Sequence, residues 1–379
     1  MSISTVLPPA PAKTLQKQAL EVLGAYQYVL TFIFMGLFFT LLVFYLLFTS
    51  LWSFSVLYLV WLYLDWDTPN RGGRRCLWMR NWTVWKQQRD YFPIKLVKTA
   101  ELPPDRNYVL GSHPHGIMGT GIFCNFSTDS NDFSRLFPGL QPRIAALAGL
   151  FRLPVFREYI MFNGVCPVSR QSLDFILSQP QPGQAVVILI GGAQEALHAV
   201  PGEHCITLRK RKGFVRLALR HGASLVPVYS FGENDIFRLK AFATDSWQHL
   251  CQVTFKRLLG FSPCIFWGRG LFSASSWGLL PFAVPITTVG ECHVQGRVAV
   301  AAWAAEAPCS PGSPSLQWAS PSPCPSAPAP RRNRWTTTTG SSSRLWSSCL
   351  RTTRDAVVSL HLPGSPSSNP GLGLPVESC

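Results

Sequence analysis

Not one Asp, Glu, Lys or Arg occurs between Val22 and Leu64. As a single helix rising ~1.5 Å per residue, that run would reach roughly 65 Å, about twice the ~30 Å hydrocarbon core of a bilayer. It reads instead as two transmembrane helices in a hairpin, bending near Thr49–Ser55, where hydroxyl residues interrupt the apolar run. Lys13 and Lys17 precede it, and Arg71, Arg74, Arg75, Arg80 and Lys86 follow. Two basic flanks place both ends in the cytosol, which again requires an even number of passes. The run is too long for a signal peptide and lacks a small-residue cleavage site. A buried hairpin in a soluble domain is the competing reading, and the length without charge weighs against it.

The rest of the composition agrees with a membrane protein carrying a globular part: 47% hydrophobic, 14% charged, with 13 Trp and 25 Phe. The net charge of +15 would suit nucleic acid, but no nucleic-acid-binding motif accompanies it. An anionic membrane face or a phosphorylated cosubstrate fits better. Cys76, Cys124, Cys166, Cys205, Cys251 and Cys264 are scattered with no Cys-x-x-Cys pair, so they read as reduced cytosolic thiols. Asn81-Trp-Thr83 and Asn125-Phe-Ser127 match the glycosylation pattern by chance if these segments face the cytosol.

Past Pro69-Asn70-Arg71-Gly72-Gly73, the residues Trp78, Trp82 and Trp85 among Arg80 and Lys86 fit either a membrane–water interface or an amphipathic surface helix. Ala185–Ile190 reads as a buried parallel strand between a Pro180–Gly183 turn and Gly191-Gly192. Ser224–Phe231 is another, with Pro227 implying an edge or a bulge. Between them Gly213–Arg220 has helical spacing and a stop at Gly222. Strands alternating with helices predict an α/β domain over residues 65–290, after a cytosolic N-terminus (1–21) and the hairpin (22–64).

Four islands carry polar groups suited to chemistry: Ser112-His-Pro-His-Gly116, Asn163–Arg170, Gly191-Gly-Ala-Gln-Glu-Ala-Leu197, and Arg211-Lys-Gly-Phe214 running on to Phe231-Gly-Glu-Asn234. Two imidazoles, His113 and His115, offer a general base near neutral pH. The same His-x-His spacing also suits a metal, with His198 and His204 as further ligands, but no acid or cysteine cluster accompanies it. Glu195 is either a partner for the histidines or an acid at a helix start. The basic run Arg209, Lys210, Arg211, Lys212 suits phosphates, anionic headgroups or a solvated face.

Taken together with Tyr91-Phe92-Pro93, these islands closely resemble the diacylglycerol acyltransferase 2 family of membrane acyltransferases, over about residues 20–289. The resemblance implies a membrane-anchored α/β fold like that of glycerolipid acyltransferases, and transfer of an acyl group from acyl-CoA to an alcohol. No permanently bound cofactor is implied; acyl-CoA is the cosubstrate, monoacylglycerol and diacylglycerol are the acceptors, and the bilayer is a partner. A long-chain alcohol acceptor and a catalytically inactive membrane partner of other acyltransferases are the alternatives, and a homo-oligomer is left open. In this chemistry one histidine, with His115 preferred and His113 its neighbour, deprotonates the acceptor hydroxyl. Backbone donors near Gly116, Gly191 or Gly192 hold the thioester oxyanion, and Arg170 with Arg209–Lys212 takes the CoA phosphates. The broader acyltransferase group places an aspartate shortly after its histidine. Here Ile117, Met118, Gly119 and Thr120 follow the box, so Glu195 becomes the candidate partner.

From Glu291 onward Pro, Ser, Ala and Cys dominate without any hydrophobic period, a composition of disorder. The family pattern continues differently, with a Gly-Pro-Ile-Pro-Val-Pro-like stretch. Gly290-Glu291-Cys292 can be encoded by GGT-GAG-TGC, which contains a splice-donor consensus, and Ser315-Leu316-Gln317 can end in an acceptor. Joining to Trp318 one base out of frame permits the family's continuation. Residues 291–379 therefore read as a retained intron followed by out-of-frame exon.

Overall fold

The computed structural model describes residues 13–290, apart from 204–205, 209–210, 244 and 274–275. The expected aberrant tail, residues 291–379, lies outside the described residues, as do residues 1–12.

The apolar run forms helix α1 (Leu15–Leu30), a π-helical turn (Thr31–Met35), α2 (Gly36–Leu46) and α3 (Trp52–Leu64). The break expected near Thr49 falls at residues 47–51, where the Thr49 hydroxyl donates to the Leu46 carbonyl at 2.9 Å and accepts the Leu51 N–H at 3.2 Å. Leu15–Leu46 is long and apolar enough to cross a membrane. The thirteen residues of α3 reach only ~20 Å, short of the ~30 Å core, so helix length does not establish a second crossing.

One face of the beginning of this run packs on the globular core. Ala25, Tyr28 and Val29 are buried, and α1 lies along α5 (Thr83–Tyr91) with Gly24 pressed against its backbone. Lys17 pairs with Asp90 at 2.5 Å, and the Tyr28 hydroxyl donates to the Met118 carbonyl at 2.9 Å. Exposed apolar side chains dot the outer face of α1 at Leu15, Leu20 and Leu23, and run more densely from Phe34 through Phe38, Leu41, Phe44 and Phe48 to Leu57 and Leu64. The far end is fastened too. Asp65, just past α3, accepts from Arg157 at 2.9 Å and pairs with Arg74, while the Tyr58 hydroxyl accepts the Val155 N–H at 2.8 Å.

The domain is built on a seven-stranded sheet in the order β1-β10-β6-β2-β5-β3-β4. Its strands are β1 (Lys95–Lys98), β2 (Tyr108–His113), β3 (Gln141–Ala146), β4 (Val165–Pro167), β5 (Gln184–Leu189), β6 (Ser224–Phe231) and β10 (Thr287–Gly290). β7 (Arg238–Leu239), β8 (Phe266–Arg269) and β9 (Trp277–Gly278) form a small separate sheet. β4, β3, β5, β2 and β6 are parallel, and β10 closes antiparallel on β6. β2 and most of β5 are buried along their length, which is why they read as continuous apolar runs.

β6 is interior, yet Pro227 is tolerated there. Pro227 stands in register with Gly111 of β2 in an unbroken ladder, so the edge or bulge expected from it is not found. The helix Gly213–His221 stops at Gly222, whose φ of +61° and N–H bond to the Ala218 carbonyl make the expected left-handed cap. A second expectation is corrected. Trp85 is a core residue at 0% exposure, its indole N–H donating to the Met79 carbonyl, and only Trp78 of the three tryptophans is broadly exposed (73%). Helical spacing on α5 turns Trp85 inward toward α1 and Phe123.

Asp65→Ala would leave the buried Arg157 guanidinium with Glu158 alone, at 3.4 Å. The expected cost is about 3 kcal/mol, measured as a lowered unfolding temperature in detergent; an unchanged midpoint would show that this fastening is dispensable.

Candidate active site

β2 and β5 are neighbours, with Ser112 in register with Leu189, so the segments leaving their C-terminal ends must meet. From β2 comes the histidine box, whose His113–Pro114 peptide is cis and whose Gly116 has φ +60°. From β5 comes the Gly191-Gly192 turn, then the short helix Ala193–Ala196. Gly192, at φ +55° and ψ −154°, adopts a conformation that a side chain would forbid. Any Cβ on Gly191 would overlap the Glu195 side chain.

Glu195 is the centre of this junction. Its carboxylate, 2% exposed, accepts three hydrogen bonds: from His113 Nδ1–H at 3.0 Å, the His115 backbone N–H at 2.7 Å and the Thr207 N–H at 3.1 Å. Burial works against its charge, but the His113 ring and these donors outweigh it and hold the carboxyl below its usual range. Glu195 therefore does not cap its helix; Gly192 is at the cap position and Glu195 points at the histidines. The His115 ring is partly exposed, and its Nδ1–H donates to the Gly116 carbonyl at 2.9 Å. In both rings a Nδ1 donor leaves the basic lone pair on Nε2.

The remaining expected residues divide. Arg211 reaches the site, donating from Nη2 to the Gly191 carbonyl at 3.1 Å. Lys212 is exposed at the start of the next helix, and Arg209 and Lys210 lie outside the described residues. Arg170 is not brought in: it heads the helix after β4, at the sheet edge, exposed and paired with Asp174 at 3.4 Å. Three inter-strand spacings of ~4.8 Å separate β4 from β2, which accounts for the distance. Of the metal alternative, His198 is half-buried near Gln194 and His204 lies outside the described residues. Tyr91 and Phe92 are structural: the Tyr91 hydroxyl donates to the Pro281 carbonyl at 2.6 Å, and Phe92 is buried.

Glu233 is the residue that the sequence reading missed. It was visible only as part of the Phe231-Gly-Glu-Asn block, with no role attached. In the fold it is fully buried against Gly116 and Gly121, and its carboxylate accepts the Gly121 N–H at 2.9 Å. It thereby ties the turn after the histidine box, including the short helix α6 (Thr120–Ile122), to the end of β6. Burial pushes its carboxyl up to about 7, with the backbone donors of Gly121 and Thr120 resisting.

A family model described as Diacylglycerol acyltransferase matches residues 44–296. The chain is 79% identical over 290 residues to human "2-acylglycerol O-acyltransferase 3", covering 76% of this chain and 85% of that protein. It is 53% identical over 273 residues to human "Diacylglycerol O-acyltransferase 2", covering 72% and 70% respectively. A solved structure, the 1-acyl-sn-glycerophosphate acyltransferase PlsC from Thermotoga maritima, superposes with a TM-score of 0.31 at 11% identity, over 74% of this chain and 86% of that one. A superposition that loose carries no residue across.

A carboxyl raised in the folded state holds its proton more tightly there than in the unfolded chain. The stability it contributes is present below the unfolded value and lost as pH rises through about 7. Glu233→Gln keeps an acceptor for the Gly121 N–H and should flatten this slope. Unfolding temperatures of wild type and variant at pH 5 and pH 8 measure it, and parallel slopes would refute it.

Proposed function

The chain belongs to the diacylglycerol acyltransferase family, and from that premise we propose that it esterifies monoacylglycerol with acyl-CoA to give diacylglycerol, and diacylglycerol to give triacylglycerol. The carrying observation is the buried Glu195 carboxylate that binds the His113 ring and the His115 backbone together.

An alcohol is a poor nucleophile until its proton is leaving, so the reaction needs a base aligned with the acceptor hydroxyl. The carboxylate partner favours His113 over His115 as that base. Glu195 fixes the ring and its tautomer and stabilises the imidazolium as it forms. The hydroxyl oxygen attacks the thioester carbonyl directly, so no acyl-enzyme is required. The tetrahedral intermediate collapses by breaking the C–S bond, and the imidazolium returns its proton to the departing CoA sulfur. The Gly192 N–H is already bonded to the Leu189 carbonyl at 3.1 Å, so oxyanion stabilisation falls to backbone donors at Gly116 or Gly191. Arg211, beside Gly191, and its basic neighbours serve the CoA phosphates.

The endoplasmic-reticulum membrane is the proposed site of action, with both ends of the apolar hairpin in the cytosol. α1 is fastened to α5 and Asp65 to Arg157, so the exposed helices α2 and α3 leave one body and return to it. An excursion anchored at both ends on one domain enters and leaves the bilayer on one face. The tail is proposed to be intron-derived, in keeping with a family match that ends at residue 296. Sequencing the messenger across the Gly290 codon tests this, and an uninterrupted exon encoding Glu291–Gln317 in every transcript would exclude it.

Microsomes carrying the chain, and a version with a family-like C-terminus, are assayed with labelled oleoyl-CoA and a panel of acceptors. His113→Ala and Glu195→Gln should each lower kcat by about 10² or more, with His115→Ala milder. A His115→Ala loss exceeding that of His113→Ala would reverse the assignment. No ester from any acceptor, in a chain that inserts normally, would leave only the role of an inactive membrane partner.

A further inference from the structure

Arg75, Arg80 and Arg143 converge on the turn between Asn163 and β4. Arg75 precedes helix α4 (Leu77–Arg80), Arg80 ends it, and Arg143 is on β3. A Cβ on Gly164 would be 3.0 Å from Arg80 Nη1 and 3.6 Å from Arg75 Cγ, while Arg143 Nε reaches the neighbouring Gly72. Arg80 is 1% exposed; the other two are half-buried.

Burying one guanidinium ordinarily demands a carboxylate, and here three lie together without one. Among the described residues, none of the three has an acid within ion-pair distance. Arg80 Nη1 is used by the carbonyls of Phe126 and Asn163, at 3.1 and 3.2 Å, and Arg143 Nη1 by Gln184 Oε1 at 2.5 Å. Arg75 Nε, Arg80 Nη2 and Arg143 Nε are buried with no hydrogen-bond acceptor. Asp129 attracts Arg75 and Arg80 from beyond ion-pair distance, and its carboxylate is engaged by the Ser134 N–H and hydroxyl at 3.0 and 2.9 Å. The buried Cys166 thiol beside Arg143 supplies no charge either, since burial pushes it up to about 12.

We propose that Arg75, Arg80 and Arg143 form a binding site for a phosphate-bearing anion, separate from the His113–Glu195 centre. Three guanidinium forks match the several oxygens and double charge of a phosphate monoester, where a fatty carboxylate would neutralise only one. All three arginines are held below their usual range, first by burial. Arg80 goes down to about 9, through burial and then repulsion from Arg75, with Asp129 opposing and Arg143 adding to it; Arg143 also lowers Arg75 against the pull of Asp129. A bound anion removes that strain. Separation from the catalytic centre follows from register: Arg143 aligns through Val186 with Val109, four residues before His113 and two strands away, roughly 15 Å.

Two sources supply this chemistry. One is the headgroup of an anionic phospholipid, for which the exposed Leu77 and Trp78 on α4 give an apolar neighbourhood. The other is a soluble phosphate. The purified full chain in detergent is titrated with dioctanoyl phosphatidic acid, with inorganic phosphate, and with dioctanoyl phosphatidylcholine as the zwitterionic control, reading the unfolding temperature and native mass.

Phosphatidic acid is expected to raise the midpoint by about 3 °C or more at saturation and to appear as a bound adduct. Arg75→Gln with Arg143→Gln should weaken it at least ten-fold while leaving the ligand-free midpoint equal or higher, because like charges have been removed. A lipid response without a phosphate response identifies the headgroup, and equal responses identify the phosphate group alone. Should the double variant fail to fold, Arg143→Lys keeps the charge and loses the fork, and must weaken binding by itself. No shift with any phosphate-bearing anion in the wild type, or the same shift in wild type and variant, overturns the site.

Discussion

The bond between Glu195 and the histidine box is the interaction on which the junction at the C-terminal ends of β2 and β5 depends. A carboxylate that is 2% exposed keeps its charge only because three donors converge on it, and those donors come from two different chain segments. Once it is in place, it fixes the His113 ring, draws in the His115 backbone and pins the loop carrying Thr207. Gly191 and Gly192 are the conditions for that arrangement. One leaves room for the carboxylate, and the other lets the chain turn sharply enough to present it.

A second buried acid supports the same loop from the other side. Glu233 holds the Gly121 N–H, so the turn leaving the histidine box is gripped by β5 through Glu195 and by β6 through Glu233. The two carboxylates differ in electrostatic state. Glu195 faces an imidazole and is held low, whereas Glu233 faces mainly backbone dipoles and is pushed up to about 7. The apolar helices follow a similar pattern, since α2 and α3 are left bare while ion pairs before α2 and after α3 fasten the chain to the domain.

Much of this was legible in residue order. The strand at residues 184–189, the strand at 224–231, the capping Gly222 and the break near Thr49 are local properties, set by hydrophobic runs and turn residues. Pairing Glu195 with the histidines was also within reach, because the usual nearby aspartate is missing. Other expectations failed for a common reason. Trp85 looked interfacial or surface-bound because it lies among charges, and Arg170 looked like a phosphate ligand because it closes a polar island; helical phase buries the first and strand order carries the second to the sheet edge. Glu233 had no signal of its own, since its partner is 112 residues away.

By itself, then, the sequence determined a long uncharged apolar run, an α/β domain behind it and a histidine box with a glycine-flanked glutamate, all read from composition, period and residue type. The tertiary structure decided how those groups meet and which others join them. His113 finds Glu195 across 82 residues because β2 is laid beside β5, and Arg143 joins Arg75 and Arg80 because β3 is paired with β4, just after the Gly164 turn that those two touch. Such meetings are fixed by strand order and helix docking, which arise from the burial of whole surfaces against one another. No local pattern records that.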